Sequence, residues 1–274
     1  MMRQLFISDL DGTLFNSQAK ISEKSADLLN NSIDGGIFFT FATARTAASV
    51  VPLTKSIRVN VPCVLMNGVS IFDAKNCQYI RNEYISPENS ARIASVLESL
   101  GQNGFMYKIC GNSLFCEYTE LDSPSMENFY NVRKYKYDKQ FCKVSRFSDS
   151  CSENVVYFTL LDSFEKLDKV RQQISLIDGI RFEFYKDIYS SNIWYLEIFS
   201  DKASKFNGVD YLRKNFHFDK IICFGDNLND IPMFNACDYK IAVSNADKRL
   251  KELADCVIGS NNEDAVAVWL SQNL

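Results

Sequence analysis

Histidine is almost missing from this chain: one, His217, stands among 274 residues. Reactions that need two or more imidazoles, such as His-rich zinc hydrolysis, are excluded for the chain acting alone. Acid–base work therefore falls mainly to carboxylates, lysines, tyrosines or cysteines. Proline (5) and glycine (11) are also few, against 46% apolar residues, which excludes disordered, collagen-like and low-complexity classes. No apolar run approaches the roughly 20 residues that cross a bilayer, so a soluble protein with no membrane partner is expected. A cationic surplus is lacking too: the net charge is −4, so the whole chain carries no field to hold nucleic acid. The nine cysteines are scattered singly with no C-x-x-C pair, and are expected as small buried hydrophobes. Their odd number, the lack of a signal-like leader, and Asp9 and Asp11 interrupting the only apolar stretch near the N-terminus point to a reducing cytoplasm.

What is present has a recognisable order. Gln4 to Ser8 reads as a short buried strand running into Asp9-Leu10-Asp11-Gly12-Thr13, a tight turn. Ser22 caps an amphipathic helix that stops at Gly35-Gly36, and Ile37 to Ala42 is an apolar run; this β-α-β unit implies parallel strands. A helix after Arg45, broken near Pro52, leads to a third buried strand at Cys63 to Met66. After Asn67-Gly68 the grammar changes to hairpins (Val69 to Phe72 with Cys77 to Ile80, Phe105 to Cys110 with Leu114 to Tyr118), a helix opened by Ser86-Pro87-Glu88, and further strands at Val155 to Leu161, Arg181 to Tyr185 and Trp194 to Phe199 around a helix from Phe164 to Ile177. Parallel grammar resumes with Lys220 to Phe224, Tyr239 to Val243 and Cys256 to Ile258. The predicted fold class is α/β, a Rossmann-like parallel-sheet core (residues 1–81 and 191–274) with an inserted α+β cap module (residues 82–190).

Ligands in open parallel sheets bind beyond the carboxyl ends of the strands, and polar residues gather at four such ends here. They are Asp9 to Thr13, Thr43-Ala44-Arg45, Asn67-Gly68, and Gly225 to Asp230. Asp9, Asp11, Asp226 and Asp230 would bring up to four carboxylates into one pocket, where crowded like charges either raise a pKa or require a cation. Hard oxygen ligands favour magnesium. The Thr43 hydroxyl, nearby backbone N–H groups, the Asn229 amide and one lysine can supply the donors and positive charge that a phosphate ester needs.

These residues resemble the haloacid dehalogenase-like phosphohydrolases, and within them the Cof-type (subfamily IIB) branch with a C2B cap. The first motif is matched by Asp9-Leu10-Asp11-Gly12-Thr13-Leu14, the second by Phe41-Ala42-Thr43-Ala44-Arg45, the third-motif lysine by Lys205, and the fourth by Gly225-Asp226-Asn227-Leu228-Asn229-Asp230. Asn67-Gly68, Asn245-Ala246 and Ser260 to Asp264 match branch features. Two positions depart from the pattern: Ala44 and Ala265 stand where the family usually has glycine.

The resemblance implies that Asp9 is the nucleophile and forms an aspartyl-phosphate, while Asp11 protonates the leaving oxygen and then activates water. It implies Mg2+ on Asp9, the Asp11 backbone carbonyl and Asp226, with Asp230 nearby, and Thr43, Lys205 and Asn229 on the phosphoryl oxygens. Lys202, three residues before Lys205, is a rival for the lysine role. Arg45 reads equally as substrate-facing or as a surface residue at a helix start. The expected substrate is a small phosphorylated metabolite, a sugar phosphate first, with the cap closing over it and the protein a monomer or weak homo-oligomer. A phosphomutase of the same fold and a phospho-acceptor protein that does not turn over are the alternatives. His217 lies outside every motif and reads as a loop residue. The bases Arg133, Lys134, Lys136, Lys139, Lys143 and Arg146 read as a solvated face rather than a nucleic-acid stripe.

Overall fold

The computed structural model describes residues 2–151, 153–187 and 192–273. They fall into two compact units, Met1–Arg81 with Ser204–Leu274, and Asn82–Ala203. The first unit opens with β1 (Gln4–Ser8), buried from Leu5 onward as a central parallel strand must be. The Ser22 hydroxyl accepts the Ser25 N–H to cap α1 (Glu23–Asp34), and β2 (Phe38–Phe41) returns parallel to β1. Then come α2 (Ala47–Leu53) and a small antiparallel sheet of β3 (Cys63–Leu65), β4 (Ser70–Asp73) and β5 (Gln78–Asn82). A parallel bridge between Ala42 and Val64 joins it to the end of β2.

The second unit holds α3 (Pro87–Ser99), β6 (Phe105–Cys110), β7 (Ser113–Tyr118), α4 (Pro124–Tyr137), β8 (Gln140–Lys143), β9 (Val155–Asp162), α5 (Phe164–Ile174), β10 (Ile180–Lys186) and β11 (Trp194–Ser200). Its six strands run in the order β10-β11-β9-β6-β7-β8, antiparallel except for β7 beside β8. Alternation along the strands sorts the two faces. Met106, Phe158, Leu160, Leu196 and Ile198 join Ile93 and Leu97 of α3 and Val170 of α5 in one core, while Tyr107, Tyr157 and Glu197 occupy the alternate positions.

The first unit resumes with α6 (Lys205–Phe216), β12 (Lys220–Gly225), α7 (Ile231–Ala236), β13 (Tyr239–Val243), α8 (Lys248–Leu253), β14 (Cys256–Ile258) and α9 (Ala265–Gln272). Its five-stranded sheet, β14-β13-β12-β1-β2, is parallel throughout. α1 packs on α9, and α6 on α7. From β1 the chain moves to β2 on one side, and from β12 to β13 and β14 on the other. The strand order thus reverses between β1 and β12, where a crevice opens. Ser8 lies opposite Phe224, so the chain leaves both strands side by side at Asp9 and Gly225.

The parallel-sheet α/β architecture with an inserted mixed-sheet unit is the one the sequence pattern predicts. Several details differ. The expected boundary between residues 190 and 191 lies outside the described residues at 188–191, and β11 pairs with β9 and β10, so residues 194–203 belong to the inserted unit. Two helices escaped the pattern reading. α4 is polar around most of its circumference, and α6 begins at Lys205 behind a Ser204 cap that accepts the Asn207 N–H at 3.0 Å. Of the nine cysteines, all free, Cys63, Cys116, Cys223 and Cys237 are buried, but Cys77, Cys110 and Cys142 are exposed. The six bases between Arg133 and Arg146 do not share one solvated face. Lys139 is buried with its ammonium 4.7 Å from the Tyr107 ring centroid, and the Arg133 guanidinium lies 3.4 Å from that of Phe129. His217 ends α6 in the left-handed conformation, φ 54°.

Candidate active site

The loop after β1 is wound tightly because the Leu10 carbonyl accepts N–H groups from Thr13, Leu14 and Phe15 at 3.3, 3.1 and 2.7 Å. Gly12 is required at its tip. Its φ is +78°, which strains any L residue, and a side-chain carbon there would lie 2.3 Å from Asp226 Oδ2 and displace that carboxylate. Thr13 Oγ1 donates to Asp226 Oδ1 at 2.9 Å, tying the first loop to the one after β12. Two asparagines brace the same loop from beyond β13: Asn245 donates to the Gly12 carbonyl and Asn261 to the Phe15 carbonyl, both at 2.8 Å, and the Asn261 N–H donates to Asn245 Oδ1 at 3.0 Å. Spacing alone gave these asparagines no role; only the fold brings them to the loop.

In the second loop Asp230 acts as a buttress. Its Oδ2 accepts the N–H groups of Asp226 and Asn227 at 3.0 and 3.1 Å, and its Oδ1 accepts Lys205 Nζ at 2.6 Å. Lys205 also donates to Asp9 Oδ1 at 2.6 Å, and all three side chains are buried. Lys202 is exposed and belongs to the inserted unit. Asn229 is half-buried on the short 3-10 turn Leu228–Asp230.

Burial pushes the Asp9 carboxyl well above the usual carboxylate range; the Lys205 charge opposes this, and the Asp230 and Asp226 charges add to it. Asp226 is pushed up to about 6, first by burial and then by Asp230. Burial works against the Lys205 ammonium, but Asp230 and Asp9 outweigh it and raise its pKa. Asp9, Asp226 and Asp230 each offer an oxygen, all within 4.8 Å of one another. One ammonium among three carboxylates leaves an acidic excess, and such a donor set suits a hard divalent cation. Asp230 has both oxygens engaged, so Asp9 Oδ2 and Asp226 Oδ2 are the oxygens left for an ion. The space beside Asp226 Oδ2 exists because Gly12 has no side chain.

The loop after β2 brings Thr43 to the same end of the sheet. Thr43 is buried, its N–H donates to the Val64 carbonyl at 2.9 Å, and its Oγ1 accepts the Arg45 N–H at 3.2 Å. Behind it Met66, Asn67 and Gly68 are all left-handed, φ 51, 54 and 97°. The turn is held by N–H donation from Met66 to the Arg45 carbonyl (3.1 Å) and from Asn67 to the Thr43 carbonyl (3.0 Å). A side-chain carbon at Gly68 would lie 2.0 Å from the Ser204 carbonyl oxygen, so this glycine allows the lysine-bearing segment to pass close by. The Asn67 Oδ1 atom is buried without a hydrogen-bond partner. Asp11 is more open than the buried cluster: its side chain is half exposed and takes a two-pronged contact from Arg45, at 2.6 Å on each oxygen, while its charge still acts on Asp226. The sequence reading left Arg45 open between two roles, and this pairing was neither of them.

Carboxylates gathered around one buried lysine at the switch point of a parallel sheet suit an enzyme that handles a charged group beside a cation. The family is defined by the chain itself: residues 6–270 match haloacid dehalogenase-like hydrolase, and the chain belongs to this family. It is a phosphatase, a phosphoric monoester hydrolase of that superfamily. Among its relatives, phosphatase YwpJ of Bacillus subtilis is 26% identical, covering 96% of this chain and 97% of its own. The 5-amino-6-(5-phospho-D-ribitylamino)uracil phosphatase YwtE of the same organism is 25% identical over 97% and 96%. The crystal structure of TM0651 from Thermotoga maritima superposes with a TM-score of 0.82 at 25% identity, covering 100% of this chain and 98% of that one.

Proposed function

We propose that this chain is a magnesium-dependent phosphatase of small phosphorylated metabolites, sugar phosphates first, working through an aspartyl-phosphate on Asp9. The observation that carries the reading is the buried Asp9–Lys205–Asp230 chain of 2.6 Å contacts with Asp226 beside it. Asp9 Oδ2, the Asp11 backbone carbonyl and Asp226 Oδ2 would hold Mg2+, which would offset the acidic excess and neutralise charge on the phosphoryl group. Asp9 attacks phosphorus, and the leaving oxygen takes a proton from Asp11. Asp11, then a carboxylate, accepts a proton from the water that attacks the phosphorus of the aspartyl-phosphate, releasing inorganic phosphate and restoring Asp9. Lys205, the Thr43 hydroxyl and Asn229 bind the phosphoryl oxygens, and the Lys205 charge favours the ionised, attacking form of Asp9 against the burial that opposes it. Asp230 orients Lys205 and the Asp226 loop without touching substrate.

The sugar-phosphate preference draws support from the relative whose named substrate carries its phosphate on a ribityl chain. Nine free thiols suit a reducing compartment, so the reading places the enzyme in the cytoplasm. Phosphate release from a panel of phosphorylated metabolites, with and without magnesium, tests it. Metal-dependent release strongest on sugar phosphates and absent in Asp9→Asn is expected. Flat, metal-independent release, or isomerised product without phosphate, would sink it.

A further inference from the structure

We infer that Arg45 is a positioning residue that fixes the Asp11 carboxyl for proton transfer to the leaving group, which rests on the acid–base reading of Asp11. Arg45 Nε donates to Asp11 Oδ2 and Nη2 to Asp11 Oδ1, each at 2.6 Å. This two-bond fork sets the plane of the carboxyl group as well as its distance, which a point charge such as lysine cannot do. The arginine is itself held at several points. Its N–H donates to Thr43 Oγ1, its carbonyl accepts the Met66 N–H, and its guanidinium lies 5.6 Å from the ring centroid of the fully buried Phe15. Asp11 by contrast sits on a loop with half of its side chain exposed. A carboxylate so placed would sample several rotamers in water, and the fork restricts it to one.

The fork also fits the proton balance of the two half-reactions. A guanidinium is donor-only, so a protonated Asp11 keeps one of the two bonds. The released oxygen carries the proton, which passes to the leaving oxygen as the bond to phosphorus breaks. Asp11 is then a carboxylate and the second bond re-forms. When Asp11 takes a proton from the attacking water, one prong opens again, and the cycle closes with no co-reactant beyond substrate and water.

The experiment compares phenyl phosphate with p-nitrophenyl phosphate, two esters of the same ring whose leaving groups differ in acidity. The more acidic nitrophenol departs with little help from an acid. Full-length wild type, Arg45→Gln, Arg45→Lys, Asp11→Asn and the Arg45→Gln/Asp11→Asn double variant are assayed with magnesium. Proton transfer by a positioned side chain is worth about 10²–10⁴ in rate, so loss of positioning alone is expected to lower kcat/KM for phenyl phosphate, which reports leaving-group departure and not the later hydrolysis of the aspartyl-phosphate, about tenfold. The kcat/KM for p-nitrophenyl phosphate should change less than about threefold, on the same scale. Arg45→Lys should regain part of the phenyl phosphate kcat/KM, and the double variant should match Asp11→Asn. Equal losses of kcat/KM on both esters would make Arg45 a substrate ligand or a purely structural residue and overturn the inference. If Asp11→Asn itself loses kcat/KM equally on both esters, the acid–base reading of Asp11 fails, and the Arg45 inference fails with it. A leaving-group effect in Asp11→Asn but not in Arg45→Gln defeats the Arg45 inference alone.

Discussion

Each unit of the chain buries a polar cluster, and the two clusters are satisfied in opposite ways. In the inserted unit the Glu197 carboxylate accepts the Tyr157 hydroxyl at 2.8 Å and bonds Tyr185 as well, yet burial still raises its pKa. Lys139 in the same unit is pushed down to about 8 by burial. These groups drift toward neutrality because hydroxyls and rings, rather than close opposite charges, surround them. In the parallel-sheet unit Lys205 is equally buried but touches two carboxylates, and its ammonium is held charged. Three aspartates share that one lysine. The inserted unit's cluster is thus complete with its own partners, while the other keeps an acidic excess that bound protons or an added cation must offset. That excess is where chemistry is to be expected.

The contrast is broken most severely at Lys205. Lys205→Met strands two buried carboxylates, and removing one partner of a buried pair costs about 3–5 kcal/mol. The variant is expected to lose that much in denaturant titration and to release no phosphate. Lys202→Met, at an exposed position, is expected to match the unaltered protein in both measurements. If the losses fell on Lys202 instead, the assignment of the lysine role would reverse.

The acidic excess also sets a pH dependence. Folding raises the Asp226 pKa from an ordinary carboxylate value near 4 to about 6, and raises Asp9 in the same direction. Stability from these groups is therefore present in full below about pH 4 and is lost as pH climbs through the raised values. Melting temperatures of the metal-free protein should accordingly show this contribution falling from pH 4 upward through 6. Magnesium binding must displace the protons, so its affinity by calorimetry should strengthen over the same interval. A magnesium affinity that stayed flat from pH 5 to 7 would separate the ion from this cluster.

The smallest effect is expected in the inserted unit. Glu197→Gln keeps an acceptor for a tyrosine hydroxyl, so its stability should stay within about 1 kcal/mol of the original, the worth of a typical hydrogen bond. A loss as large as that of Lys205→Met would show that Glu197 is held charged and would erase the difference between the two clusters.

Much of the site was legible because its chemistry sits at strand ends. A buried strand followed by Asp-x-Asp-Gly-Thr announces a tight turn with two carboxylates, and the fold confirms why glycine stands there: Asp226 Oδ2 occupies the space a side chain would need. Lys205 was legible only by resemblance, since a lysine at the start of a helix looks like a surface residue until Ser204 and Gly68 bring it inward. The division of labour between the carboxylates could not be read from spacing. Asp230 spends both oxygens on backbone N–H groups and Lys205, a role set by how the loop after β12 folds back. The same limit applies to Asn245, Asn261 and the Arg45 fork, whose partners are 233, 246 and 34 residues away. In the inserted unit Trp194 to Phe199 read as one of its strands, yet the boundary set at 190/191 cut β11 off from it, because an apolar run does not say which strands it lies between. Pairing partners alone decide that.

In the proposed mechanism the phosphoryl group passes through Asp9. Borohydride added during turnover reduces an acyl phosphate, and peptide mass spectrometry then locates the change. Conversion of Asp9, and of no other carboxylate, to homoserine is expected, and only when substrate and magnesium are both present. Phosphate release at full rate with Asp9 unmodified, or reduction at another aspartate, would contradict it.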